Sequence, residues 1–234
     1  MAGSIAGNTF ARNRSGNYIR AKTKPINPNS SSAMLLRDVG DGGQSIVRAA
    51  LAKLSVRWSQ AIGAAARTAW NLYGASVAMK NKLGETIFLS GYNHFIRSNM
   101  FLCIRNETLV DSGPTIFELP EKDPTIVIEP MVHENRAILT FDDTMVWVDE
   151  DEAFLIIREG QPQNPQRNFF GGPYRGFKDK GGDSASPKTS PETFTNLHLL
   201  TAGQKVWYEL RIIRADGRLS EPWYVSNIVV AGPL

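Results

Sequence analysis

The chain holds one cysteine, Cys103, and three histidines. This excludes an intramolecular disulfide framework and leaves little material for a thiolate or imidazole metal site. No apolar run reaches the roughly 18 residues that a bilayer crossing needs, so no membrane is expected among the partners. Met1 to Phe10 lacks the charged start and continuous greasy core of a secretion signal, so export is not expected either.

Acidic residues are scarce at the front. The formal charge of +3 hides a division: from Met1 to Gly84 there are 12 Lys and Arg against two acids, Asp38 and Asp41, a net of +10, and the remainder carries −7. Within the first 24 residues Arg12, Arg14, Arg20, Lys22 and Lys24 meet no acid and are interleaved with Phe10, Tyr18 and Ile19. Such a segment suits an anionic partner, either nucleic acid or an acidic protein surface, and its bland alternative is a solvated basic tail. No zinc-finger, RNA-recognition or helix-turn-helix signature favours nucleic acid.

Residues 1–32 read as an extended arm, broken by Gly3, Gly7 and Gly16 and barred from helix by Pro25 and Pro28. Ordering roughly 30 residues costs on the order of 30 to 60 kcal/mol at 1 to 2 each, so so few apolar groups must be helped by an external surface. Fully extended, the arm would reach about 100 Å. The partner-binding residues assigned to it are Arg12, Arg14, Tyr18, Arg20, Lys22 and Lys24.

Residues 33–110 read as a small helical docking domain. From Gln44, Val47, Leu51, Leu54, Trp58 and Ile62 fall on one stripe. Gly63 interrupts it, and Ala66, Ala69, Trp70, Tyr73 and Val77 mark a second helix. A loop follows at 81–84, then a brief strand at Ile87 to Leu89. Ser90 is an N-cap for a third helix holding Phe95, Ile96, Met100 and Cys103. Aromatics at this spacing pack on one another more often than they line a ligand box, and Cys103 reads as a small hydrophobe. Gly40, Gly42 and Gly43 lack the Lys-Ser/Thr ending of a phosphate loop and read as a hinge.

Residues 111–124, with Pro114, Pro120 and Pro124, read as a stiff linker. Beyond it, 125–234 carries β-type runs at 125–129, 136–141, 153–158, 206–213 and 223–230. Val206, Tyr208, Leu210 and Ile212 share one face, with Glu209 and Arg211 on the other. Asp216-Gly217 supplies a turn and Pro222 a strand entrance. The expected fold class is therefore multidomain α+β, with an extended N-terminal arm, a small helical bundle and a C-terminal antiparallel β-sandwich. The Pro- and Gly-rich stretch 160–192 reads as one long loop. Its Phe169, Phe170, Tyr174 and Phe177 form either a partner-binding surface or a cluster packed on the sandwich.

Chemistry is sparse. The histidines 94, 133 and 198 are widely separated, the acidic string 149–152 lacks a calcium-loop spacing, and Asn106-Glu107-Thr108 matches a glycosylation acceptor without an export context. No catalytic residue, no metal site and no cofactor is assigned.

Two stretches carry resemblances. GQKVWYELRIIRADGRLSEP, from Gly203, resembles the last strands of fibronectin type III domains. NTFARNRSGNYIRAKTKPINPNSS, from Asn8, with TAWNLYG and LGETIFLSGYNHFIRSN after it, resembles virion structural proteins of tailed bacteriophages. The second resemblance implies a non-enzymatic, homo-oligomeric particle component, assembled in the host cytoplasm and located in the virion. Its leading form is a capsid accessory or cement (decoration) protein whose arm binds the major capsid protein or another virion protein. A neck, tail or baseplate protein acting in adsorption is the alternative within that class, and a nucleic-acid-binding protein the alternative outside it.

Overall fold

The computed structural model describes the backbone of residues 10–12, 18–20 and 31–43, and residues 44–81 and 83–232 in full. The chain divides into two compact units, Met1–Gln44 and Ser45–Leu234. In the first, β1 (Phe10–Arg12) and β2 (Tyr18–Arg20) pair antiparallel, with Phe10 opposite Arg20 and Arg12 opposite Tyr18. The segment expected as an extended arm thus holds, among its described residues, a two-stranded ladder.

Helix α1 (Ser31–Val56) runs across Gly40, Gly42 and Gly43, which corrects their reading as a hinge. Each glycine costs a helix about 1 kcal/mol yet keeps its amide donor, and no proline interrupts the run. A π-helical turn at Arg57–Ala61 and an extended Ile62 and Gly63 separate it from α2 (Ala64–Ser76). The short strands β3 (Ala78–Lys80) and β4 (Thr86–Phe88) pair antiparallel. Ser90 then caps α3 (Gly91–Arg105), its hydroxyl accepting from the Asn93 amide at 3.3 Å, and Asn106 closes the helix in the left-handed region at φ 60°.

The helices share an aromatic core. Leu54, Trp70, Tyr73 and Phe95 are fully buried, and Phe95 lies 5.3 Å from Trp58 and 5.8 Å from Trp70, ring centre to ring centre. The expected α1 stripe is only half right: Leu54 and Ile62 are buried, but Val47 and Leu51 are exposed while Ala50 is buried. A small residue faces inward there because α3 passes close by, with Ile104, Cys103 and Ala50 lining one shallow groove. Helices α2 and α3 meet at two glycines: a Cβ on Gly74 would lie 2.4 Å from the Leu89 carbonyl oxygen, and one on Gly91 2.4 Å from Asn71 Oδ1.

Residues 111–124, expected as a linker, lie inside the second unit and are anchored there. Arg57 donates to both oxygens of Asp111 at 2.6 and 2.7 Å, and the Trp70 indole donates to the Asp111 carbonyl at 2.9 Å. Asp123, 2% exposed, accepts from the amides of Thr125 and Asp142.

The remainder forms two antiparallel sheets. One has the order β5-β6-β9, with β5 Val127–Pro130, β6 Arg136–Thr140 and β9 Glu192–Thr195. The other has the order β11-β10-β7-β8, with β7 Phe154–Gly160, β8 Tyr174–Gly181, β10 Lys205–Ile213 and β11 Trp223–Ile228. Both sheets feed one core. Ile128, Ala137, Leu139 and Phe194 come from the first sheet, and Leu155, Ile157, Val206, Tyr208, Leu210 and Ile212 from the second. Each fully buried Leu or Ile there contributes about 1.5 to 3 kcal/mol. The arrangement is mixed α+β, with the sheets compatible with a β-sandwich.

The 160–192 stretch is not one loop, because β8 lies within it, registered on β7 with Phe154 opposite Gly181 and Gly160 opposite Tyr174. Its sequence, YRGFKDKG, has no apolar alternation because β8 is an edge strand. Lys180 ties that edge to β9 through the Glu192 carboxylate and, at 2.8 Å, the Thr193 carbonyl.

Candidate interaction surface

Alternation along β10 sends Val206, Tyr208, Leu210 and Ile212 into the core and leaves Trp207, Glu209, Arg211 and Ile213 on the outer face of the four-stranded sheet. That face changes character along its length. At one end α3 covers it: Phe101 and Leu102 pack with Ile156, Ile213 and Leu219, and Phe101 meets the rings of Phe154 at 5.5 Å and Phe177 at 6.0 Å. In the middle, Glu209, 6% exposed, accepts from Arg158 at 3.1 Å and Arg211 at 3.2 Å. Two cations around one nearly buried carboxylate keep that carboxylate compensated.

The far end is aromatic. Phe170 stacks on Trp207 at 5.7 Å and stands edge-on to Tyr174 at 5.2 Å, and Tyr174 leads on to Tyr224 at 5.3 Å. Gly160 makes room for this: a Cβ there would lie 2.5 Å from Phe170 Cε1. Lys205 sits over Trp207 at 5.0 Å and Arg167 over Phe170 at 5.7 Å, close enough for cation–π attraction. The Tyr174 hydroxyl donates to the Phe170 carbonyl at 3.1 Å, and burial, then the neighbouring Tyr224 and Glu209, pushes its pKa up to about 12. It stays a neutral donor. Phe169 and Tyr224 remain 75% and 54% exposed.

The four loop aromatics therefore part company. Phe170 and Tyr174 are buried on the sheet, Phe177 packs toward α3 with Arg158 over its ring at 5.4 Å, and Phe169 alone of the four faces outward. Sequence reasoning missed Trp207, Tyr224 and Lys205, although the period-2 alternation that buries Tyr208 already placed Trp207 on the opposite face. Of the arm residues, Arg14, Lys22 and Lys24 lie outside the described residues, and Arg12, Tyr18 and Arg20 lie in β1 and β2.

The charge division also shifts. The first unit has six Lys and Arg against two acids, but the basic residues between 45 and 82 belong to the second unit, which holds 20 cations against 21 acids. Its acidity is local. Among the described residues no group of His, Cys, Asp and Glu is arranged to hold a metal ion, and no helix is long and apolar enough to cross a membrane.

No protein-family model matches the chain, and no curated protein sequence does. Among solved structures, a family 76 glycoside hydrolase from a bovine Bacteroides thetaiotaomicron strain is similar over 47% of this chain and 20% of its own, at 14% identity and a TM-score of 0.30.

Proposed function

We propose that the protein is a non-enzymatic structural component of a tailed-phage virion, in its leading form a capsid accessory or cement protein. Its basic N-terminal segment anchors it to neighbouring subunits, and its sandwich, of the fibronectin type III kind, presents the outer face to partners. The division of the chain carries this reading. The chain divides into a front unit of 44 residues with a cationic excess and a second unit in which α3 covers one end of a sheet face. An anchor and a stiff body suit a passenger on a larger surface, which offsets the ordering cost of the segment by many charge-assisted contacts.

The fibronectin-type assignment is supported by the division of seven strands into β5-β6-β9 and β11-β10-β7-β8. Within the sandwich the Tyr208 hydroxyl is tied to Asn196 Oδ1 at 2.8 Å, which keeps both buried polar groups partnered.

The test is fractionation of particles purified from cells producing the chain. Many copies on heads are expected, with charge reversal of Arg12, Arg14 and Arg20 abolishing incorporation. Recovery in isolated tails alone overturns the capsid form, and absence from particles overturns the whole reading.

A further inference from the structure

A cleft of about 410 Å³ opens where the 118–121 segment, the 142–147 loop and the end of β10 converge. Its two arginines are already neutralised: Arg214 pairs with Glu150, and Arg218 with Asp216 at 2.6 Å. Its carboxylates are not. Among the described residues no cation pairs with Glu118, Glu121 or Asp142, and Glu118 and Glu121 are exposed.

The cleft is also apolar. Val146 in its wall is 60% exposed, and Ile116 and Phe117, at 48% and 42%, directly precede Glu118. Trp147 lines it with its side chain 1% exposed, and the indole N–H finds no acceptor among the described residues. An acidic cleft with apolar walls selects a ligand that alternates cations with aromatic or aliphatic side chains.

This chain contains such a segment: Phe10, Arg12, Arg14, Tyr18, Ile19, Arg20, Lys22 and Lys24, with no acid among the first 24 residues. In β1 and β2 the two kinds of residue stand opposite each other, Phe10 to Arg20 and Tyr18 to Arg12. We propose that the Glu118–Glu121–Asp142 cleft binds residues 10–24 of a second copy of the chain, joining copies head to tail. The contact is heterologous, since segment and cleft are different surfaces, so it propagates into a ring or an open string of copies. This deepens the reading of the basic segment as a partner-seeking anchor and does not depend on the particle.

The experiment uses three purified full-length chains in sedimentation velocity at low and high salt. They are the unaltered chain, one with Glu118→Lys and Glu121→Lys, and one with Arg12, Arg14, Arg20, Lys22 and Lys24 each changed to Glu. Circular dichroism checks that each is folded. The unaltered chain should associate with rising concentration at low salt and dissociate at high salt. Each variant alone should associate at least tenfold more weakly, and an equimolar mixture of the two should recover association, because the unaltered segment of one meets the unaltered cleft of the other and the two reversed surfaces also match. A monomeric unaltered chain, the outcome expected if the segment serves only nucleic acid or another virion protein, overturns the proposal. So does a cleft variant that associates like the parent, or a mixture that recovers nothing. Absence from virions would sink the particle reading and leave this result untouched.

Discussion

Arg97 of α3 places Nη1 2.6 Å from the carbonyl oxygen of Leu219, 122 residues further along the chain, and its other nitrogen Nη2 donates to the Ser220 carbonyl. One planar cation thereby satisfies two backbone acceptors at the joint between helices and sheet. Burial, with Arg211 adding to it, lowers the Arg97 pKa to about 10, so the side chain remains charged at neutral pH. Replacing Arg97 with Met removes both donors and leaves buried carbonyls unpaired. The expected loss is about 2 to 4 kcal/mol in urea unfolding. Lys should rescue less than half of it, since a point charge cannot fork to two acceptors. The parent should unfold in one transition, and the Met variant should separate helical from sheet signals.

His94 is fully buried, edge-on to Tyr73 at 4.9 Å, and neither ring nitrogen has a partner among the described residues. Desolvation first, then the nearby Arg97 charge, lowers its pKa to about 4. The folded state therefore holds this imidazole neutral, whereas the unfolded chain protonates it below about 6.5. Between those values the unfolded state binds more protons, so stability falls as pH drops from 6.5 toward 4, by up to about 3 kcal/mol from this group. A His94→Gln variant should lose that part of the slope while retaining the acid sensitivity of the carboxylates. Chemical denaturation of both proteins across the pH range measures the difference, and superimposable slopes would disprove it.

What the sequence revealed followed from local patterns, and what it hid came from distant partners. The alternation of Val206, Tyr208, Leu210 and Ile212 marked a half-buried strand, and all four are buried. Ser90 announced α3, and Gly63 the break before α2. Strand β8 escaped because Arg175, Gly176, Lys178 and Asp179 carry no period, its order coming from the ladder with β7. The anchoring of 111–124 was hidden because Arg57 and Trp70, more than 40 residues upstream, hold Asp111. The acidic cleft was invisible for the same reason: Arg218 Nη1 reaches the Glu118 carbonyl, at 3.5 Å, across 100 residues. In the outer aromatic face only the 169–177 cluster was legible, since its rings crowd together in sequence.

Gly74 and Gly91 set how closely α2 and α3 approach. A methyl at Gly74 would meet the Leu89 oxygen at 2.4 Å and the Gly91 nitrogen at 2.9 Å, both backbone atoms that cannot swing aside. Although alanine favours helices over glycine by about 1 kcal/mol, the clash should win. Gly74→Ala should destabilise by about 1 to 3 kcal/mol. Gly63→Ala, where a Cβ meets nothing within 4 Å, should leave the midpoint nearly unchanged. Thermal melts of the pair separate crowding from propensity.

The outer aromatic face permits a sharper separation, between holding the fold and meeting a partner. Trp207 is 6% exposed beneath Phe170, so Trp207→Ala should cost about 3 to 5 kcal/mol. Phe169 and Tyr224 are mostly exposed, and changing both to Ser should shift stability by less than about 1 kcal/mol. If this face meets a neighbour in the particle, the double variant should fold and yet be outcompeted by the parent chain at least fivefold during incorporation. Equal incorporation would confine these rings to chance exposure, because a buried aromatic anchor lost from an interface centre costs far more than a rim contact.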